Sequence, residues 1–166
     1  MTESTEHANA ATPDALVVIR FAADALRAAL LDNWDRAYST VCLGAVLFPS
    51  YVALMVQTWC DMYLDHARGG DGRIGLGHWT TLGADGKPLH PDSDEIPASI
   101  KWARRALEAR ARMDVEAYVE AFDAMPSDPD EYTEHILAVL HVVTSTLSVT
   151  KRGFARNSEQ SWMSLN

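Results

Sequence analysis

Four titratable side chains fall within the thirteen residues EYTEHILAVLHVV, positions 131–143: Glu131, Glu134, His135 and His141. Carboxylates and imidazoles so spaced are the ligands of carboxylate metal bundles and the members of proton relays. On a helical wheel of about 100° per residue the four share an arc of about 120°. Ser145, Thr146 and Ser148 lie on or beside that arc, and Tyr132, Ile136, Leu137, Val139, Leu140, Val143 and Leu147 fill the rest. Glu134 and His141 stand two turns, about 10 Å, apart along the axis, too far to share an ion alone. Glu131 and His135, at i and i+4, could each donate one ligand, with Asp61 and Asp65 as the nearest complement. The paired Glu-x-x-His motifs that make such sites specific are absent. The stretch therefore predicts the wet face of an amphipathic helix, its acids favoured near the N-terminus, and no metal site.

Arg110 is the more unusual charge. On the wheel of its helix it lies between Ala103 and Ala106, inside the apolar arc. A guanidinium aimed at a core must be paired or border a cavity, because burying an unpaired charge is very costly. Asp24, Asp61 and Asp65 are its candidate partners, and a structural ion pair is the default reading. A bound organic anion is the alternative. His66 falls beside Trp59 and Met62 on the apolar side of its helix, the position of a satisfied core histidine. Together Trp59, His66, Trp102 and Arg110 form the candidate ligand-binding set.

Other patterns are less specific. Gly70-Asp-Gly-Arg-Ile-Gly75 fits G-x-G-x-x-G, but it follows a helix rather than a strand, so no helix N-terminus is placed to receive a pyrophosphate. His78 and His90 flank Asp85-Gly86 without being cross-strand partners, which predicts that they cover an edge of the core with Trp79 and Leu82. KWARRALEARAR, residues 101–112, carries Lys101, Arg104, Arg105, Glu108 and Arg112 on one side of a helix and Ile100, Trp102, Ala103, Ala106, Leu107 and Met113 on the other. That is a modest basic patch on a solvated face. No serine or cysteine nucleophile context, Cys/His zinc spacing or phosphate loop is present.

The elements that must position these residues read as helices. Thr12-Pro13-Asp14 is a helix start, with a capping threonine and proline at the first helical position. The helix from 13 to about 31 is polar only along Arg20, Asp24 and Arg27, which predicts burial on most sides, in the bundle or in an oligomer interface. Asp32 or Asn33 caps a second helix reaching about Phe48, and a third runs from about 50 to 68, ended by Gly69-Gly70. Glycines recur from Gly70 to Gly86, and Asp85-Gly86 between short extended runs is a type I′ hairpin pattern. Pro97 opens a fourth helix to about Met113, Asp114 caps a fifth over 115–124, and Asp128-Pro129-Asp130-Glu131 starts a sixth to about Thr150. NWDRAY (33–38) and DVEAY (114–118) each open a helix with Ala-Tyr a turn later, a possible internal duplication.

Composition bounds the function. A net charge of -9 disfavours a nucleic-acid backbone or anionic membrane surface as the main partner. The acidic, polar N-terminus lacks the pattern of a signal peptide, and no apolar run reaches the 18 or so residues of a membrane span. Cys42 and Cys60, both within apolar stretches, suit a reducing, cytoplasmic compartment. Arginine exceeds lysine by eleven to three amid abundant Ala and Asp, a composition associated with GC-rich bacterial genomes.

The expectation is an all-α fold, a five- to six-helix bundle spanning 12–150 with a Gly-rich loop or β-hairpin at 69–97 between helices three and four. Tails cover 1–11 and 151–166. The expected function is that of a non-enzymatic cytosolic interaction or regulatory module, homodimeric, with Val18, Phe21 and Trp162 at the interface and no cofactor. The alternative is a binder of small organic anions, or an enzyme, with an apolar pocket around Arg110 and His66 under the 69–97 loop.

Overall fold

The computed structural model describes residues 12–67 and 84–163, with side chains at 12–66 and 84–147. Among the described residues six α-helices follow one another: α1 (Pro13–Leu30), α2 (Trp34–Leu47), α3 (Val52–Ala67), α4 (Ala98–Ala111), α5 (Val115–Asp123) and α6 (Pro129–Met163), with a 3-10 turn, Pro49–Tyr51, before α3. That turn is an element the sequence reading merges into the third helix.

The helix starts follow capping chemistry. The Thr12 hydroxyl accepts from the Ala15 amide at 3.3 Å, with Pro13 in the first turn of α1. The Asp128 carboxylate accepts from the amides of Asp130 and Glu131 at 3.0 and 3.1 Å at the head of α6. Each satisfies donors that a helix start leaves without partners.

Two turns share one geometry. At the end of α1 the Asn33 amide donates to Ala28 O at 2.9 Å and the Asp32 amide to Ala29 O at 3.0 Å, with Asp32 at φ 60. At the end of α4 the Asp114 amide donates to Ala109 O at 2.9 Å and the Met113 amide to Arg110 O at 3.1 Å, with Met113 at φ 55. Both are Schellman motifs closed by a residue other than glycine. In each the next residue caps the following helix: Asn33 Oδ1 accepts from the Arg36 amide at 3.2 Å and Asp114 Oδ1 from the Ala117 amide at 3.0 Å. Asn33 and Asp114 thus occupy equivalent places. The Ala-Tyr pairs at 37–38 and 117–118 do not, since they stand one residue out of step relative to the caps.

Packing carries the same pattern further. α1 packs on α2, α3 and α6; α4 packs on α5, α6 and α3; and α3 packs on α6. The chain is thus two three-helix units, each inserting its third helix against the other's first. The shared core holds Trp59, Met55, Leu107, Ile136, Leu140, Val18 and Val143, with small residues (Ala22, Ala25, Ala29, Ala103, Ala106) where helices approach closely. Each fully buried Leu, Ile, Val or Met contributes about 1.5–3 kcal/mol. α1 meets three neighbours, which accounts for its apolar circumference, and Arg20, Asp24 and Arg27 are its exposed stripe.

The β-hairpin is not supported among the described residues. Residues 84–97 form turns and bends with one isolated bridge position at Pro88. A type I′ turn needs positive φ at both central residues, and here only Gly86 has it, at φ 75. The Asp85 carboxylate instead accepts from the Lys87 amide at 3.1 Å, and Pro88 offers no amide to a ladder. Residues 68–83, which include the G-x-G-x-x-G stretch, His78, Trp79 and Leu82, lie outside the described residues. His90 is exposed and its Nδ1 accepts from the Asp92 amide at 3.3 Å, so it does not cover the core's edge. α6 continues to Met163 past the expected end near Thr150; Gly153 alone costs a helix only about 1 kcal/mol and does not stop it.

Candidate functional site

Arg110 finds its partner on α3. Its Nε donates to Asp61 Oδ1 at 2.6 Å and its Nη2 to Asp61 Oδ2 at 2.9 Å, a two-pronged pair that joins the ends of α3 and α4. The side chains are 31% and 41% exposed, so the pair lies at the rim of the core. The carboxylate raises the guanidinium pKa further above its ordinary value. Around the pair, burial pushes the Cys60 thiol up to about 12, with Asp61 adding to the shift, so the thiol stays neutral and is no nucleophile. Burial likewise raises the Tyr118 phenol, whose hydroxyl donates to Ala53 O at 3.1 Å. A recess of about 260 Å³ opens here, lined by Asp61, Leu64, Asp65, Arg110 and Met113. Two carboxylates against one guanidinium leave it net negative, and Arg110 already spends two donors on Asp61. The recess therefore disfavours the organic anion that the alternative reading requires.

Among the described residues, no recess brings the remaining members of the ligand set together with Arg110. Trp59 is fully buried and its Nε1 donates to Ala22 O at 2.8 Å. Trp102 lies at 5% exposure, its Nε1 donating to Ala121 O at 2.6 Å and its ring edge-on to Phe122. Both indoles are hydrogen-bonded core anchors. His66 is exposed rather than buried beside Trp59. It sits in the last turn of α3, and a wheel gives angle but not height along the axis.

The opening stretch is divided among local contacts. The His135 Nδ1–H donates to Glu131 O at 2.7 Å, and its ring meets Trp102 edge-on. Glu134 accepts from the Ser99 hydroxyl at 2.9 Å, tying α6 to α4. His141 stacks on Trp34 with ring centroids 3.9 Å apart, and the partial desolvation lowers its pKa below the ordinary imidazole value. Asp61, which the metal reading borrows, is engaged by Arg110, and among the described residues no group of three or more His, Cys, Asp or Glu gathers into a metal-binding arrangement.

Surface features are more distinctive than chemical ones. Eight of the eleven exposed large apolar side chains among the described residues, Leu16, Val17, Leu30, Leu31, Tyr38, Leu43, Val46 and Leu47, lie on α1, α2 and their connection; Met113, Val115 and Val119 lie at the start of α5 and on it. α2 buries Ala37, Val41 and Gly44 and turns the opposite side outward. At its C-terminal end that side is the ridge Leu43, Val46 and Leu47, exposed by 50%, 77% and 55%. No charged residue occurs from Ala37 to Cys60. That run was the available signal for this surface, but an apolar run alone does not say which side faces out. Of the residues proposed for the interface, Val18 is fully buried within its own chain. A charge there would break the core, so Val18 is corrected from interface to core. Phe21 is half-buried against Phe48, ring centroids 6.2 Å apart, and the side chain of Trp162 lies outside those described.

A second recess, about 470 Å³, runs between α4 and α5. It is lined by Trp102, Ala109, Ala117, Ala121 and Ala124 together with Arg105, Glu108, Arg112, Asp114 and Glu120. No single helix among the described residues is long and apolar enough to cross a membrane; α2 and the segment Pro49–His66 pass the same test only as a pair bent by 112°. No protein family model matches the chain, and no curated protein or solved structure matches it either.

Proposed function

We propose that this chain is a non-enzymatic interaction module that self-associates as a homodimer through the outer face of α2. The ridge Leu43, Val46 and Leu47 carries the reading: three aliphatic side chains, at least half exposed, on a helix with no charge beyond Arg36. Exposed apolar surface gathered in one place, rather than scattered, marks interaction sites. Fully burying one Leu or Val contributes about 1.5–3 kcal/mol, so one ridge at these exposures contributes about 3–5 kcal/mol. Two ridges per dimer contribute roughly 6–10 kcal/mol, comparable to the roughly 4–15 kcal/mol that association costs in lost freedom. The dimer is therefore concentration-dependent. The committed indole N–H groups, the neutral Cys60 thiol and the net-negative recess at Arg110 favour this reading over a small-anion binder or enzyme.

The test is Val46→Glu, at a position 77% exposed where the fold tolerates a charge. The variant should keep the wild-type circular dichroism spectrum and sediment as a monomer at concentrations where the wild type is dimeric. A Val46→Glu variant that associates as tightly as wild type removes α2 as the interface.

A further inference from the structure

We infer that the outer face of α5 is a second interaction surface, one that takes a cationic amphipathic helix from a partner protein. Val115, Val119 and Phe122 stand at i, i+4 and i+7, a stripe spanning about 10 Å of helix. Val115 and Val119 are 70% and 51% exposed. Phe122 is half-buried and held in place by Tyr118 and Trp102, ring centroids 5.1 and 5.3 Å away. Ala117, Ala121 and Ala124 fall on the other side of α5, where they line the recess toward α4. The stripe therefore turns away from α4, and its two valines stay open to solvent.

Charge decides what can cover the stripe. Glu116, Glu120 and Asp123, also at i, i+4 and i+7, form a parallel row one residue on, and all three are exposed. The head of α6 extends the same field, with Asp128, Asp130, Glu131 and Glu134 exposed as well. From Met113 to Thr150 the sequence holds these seven carboxylates and Asp114, and no Lys or Arg. The next bases in sequence, Lys151 and Arg152, stand about 30 Å from the head of α6 along that continuous helix, too far to neutralise it. Arg105 and Arg112 line the recess, on the side of α5 away from the valines. Such a face repels a second copy's α5, an anionic bilayer and a nucleic acid alike. A helix with aliphatic side chains at i, i+4 and i+7 and Lys or Arg beside them matches both rows at once. The acids speed encounter and set register, while the narrow apolar stripe keeps the complex transient and salt-sensitive.

The test is fluorescence anisotropy with a labelled leucine–lysine peptide about four helical turns long, its leucines at i, i+4 and i+7. The wild-type chain should bind it at about 0.01 M salt and release most of it at about 0.3 M, as the screening length falls from about 30 Å to under about 10 Å. Val115→Ser with Val119→Ser, and separately Glu116→Gln with Glu120→Gln and Asp123→Asn, should each raise the dissociation constant at least about tenfold. Asp92→Asn with Asp94→Asn and Glu95→Gln removes the same number of charges from exposed positions before α4. That control, and Val46→Ser on α2, should leave the constant within about twofold. Each variant is first matched to the wild type by circular dichroism. Equal weakening by the two triple variants would assign the binding to net charge and overturn the proposal. So would an unchanged constant in the double valine variant, or equal binding of a lysine–serine peptide without leucine. Weakening by Val46→Ser in place of the α5 changes would move the peptide to α2 and overturn it too, as would no binding by the wild type at low salt.

Discussion

Replacing Arg110 by Met and Asp61 by Asn, singly and together, asks what their two-pronged ion pair does. Methionine keeps most of the apolar stem and asparagine keeps the carboxylate's shape, so the cycle isolates the charge pair. A hydrogen bond to a charged group contributes about 1.5–3 kcal/mol when shielded, and a fully exposed ion pair about 0.2–1 kcal/mol. With side chains 31% and 41% exposed, water screens much of the attraction but not the two bonds at 2.6 and 2.9 Å. The expected coupling is therefore about 1–2 kcal/mol, between those limits. For a chain of this length that corresponds to roughly 2–8 °C in Tm for Arg110→Met. The assay is urea unfolding of the four proteins, purified without added ligand, followed by circular dichroism. A coupling below about 0.3 kcal/mol, within the additivity of independent sites, refutes the structural role. Stability unchanged by Arg110→Met would return Arg110 to the candidates for ligand binding.

Two further outcomes follow from local geometry. Met113 holds φ 55 at the end of α4 and is 76% exposed, so Met113→Gly should stabilise the protein by about 1 kcal/mol in the same urea assay by relieving the left-handed strain; destabilisation would mean that the packing of Met113 in the recess beside Arg110 outweighs that strain. His141 has a lowered pKa when folded, so below about pH 6.5, the ordinary imidazole value, the unfolded chain takes up a proton first, and stability falls as the pH falls until the folded imidazole also protonates. His141→Phe keeps a ring on Trp34 and should flatten that part of the stability–pH curve; an unchanged slope assigns it to other groups.

Much of the architecture is written in local chemistry. Thr12-Pro13, Asp114 and Asp128-Pro129 place three helix starts because capping needs only neighbours in sequence. The Asp61 partner of Arg110 was one of three legible candidates, since a guanidinium in an apolar arc requires a nearby acid; choosing among them needed the crossing of α3 and α4. Properties set by tertiary context were not legible. Val18 and Leu43 are both aliphatic residues on apolar helices, yet one is fully buried and the other half exposed, because α1 packs against α2, α3 and α6 while α2 packs mainly on α1. His66 shares Trp59's angle but not its height. The Asp85-Gly86 hairpin failed because the aspartate bonds its own backbone two residues on, an alternative that the dipeptide pattern does not distinguish.

The central claim is self-association through α2, and sedimentation equilibrium of the wild-type chain from micromolar to submillimolar concentration tests it most directly. The account predicts a mass that climbs with concentration from the 18.3 kDa of one chain toward twice that value, and a monomer throughout for Val46→Glu. A wild type that stays at the single-chain mass across the whole range contradicts it.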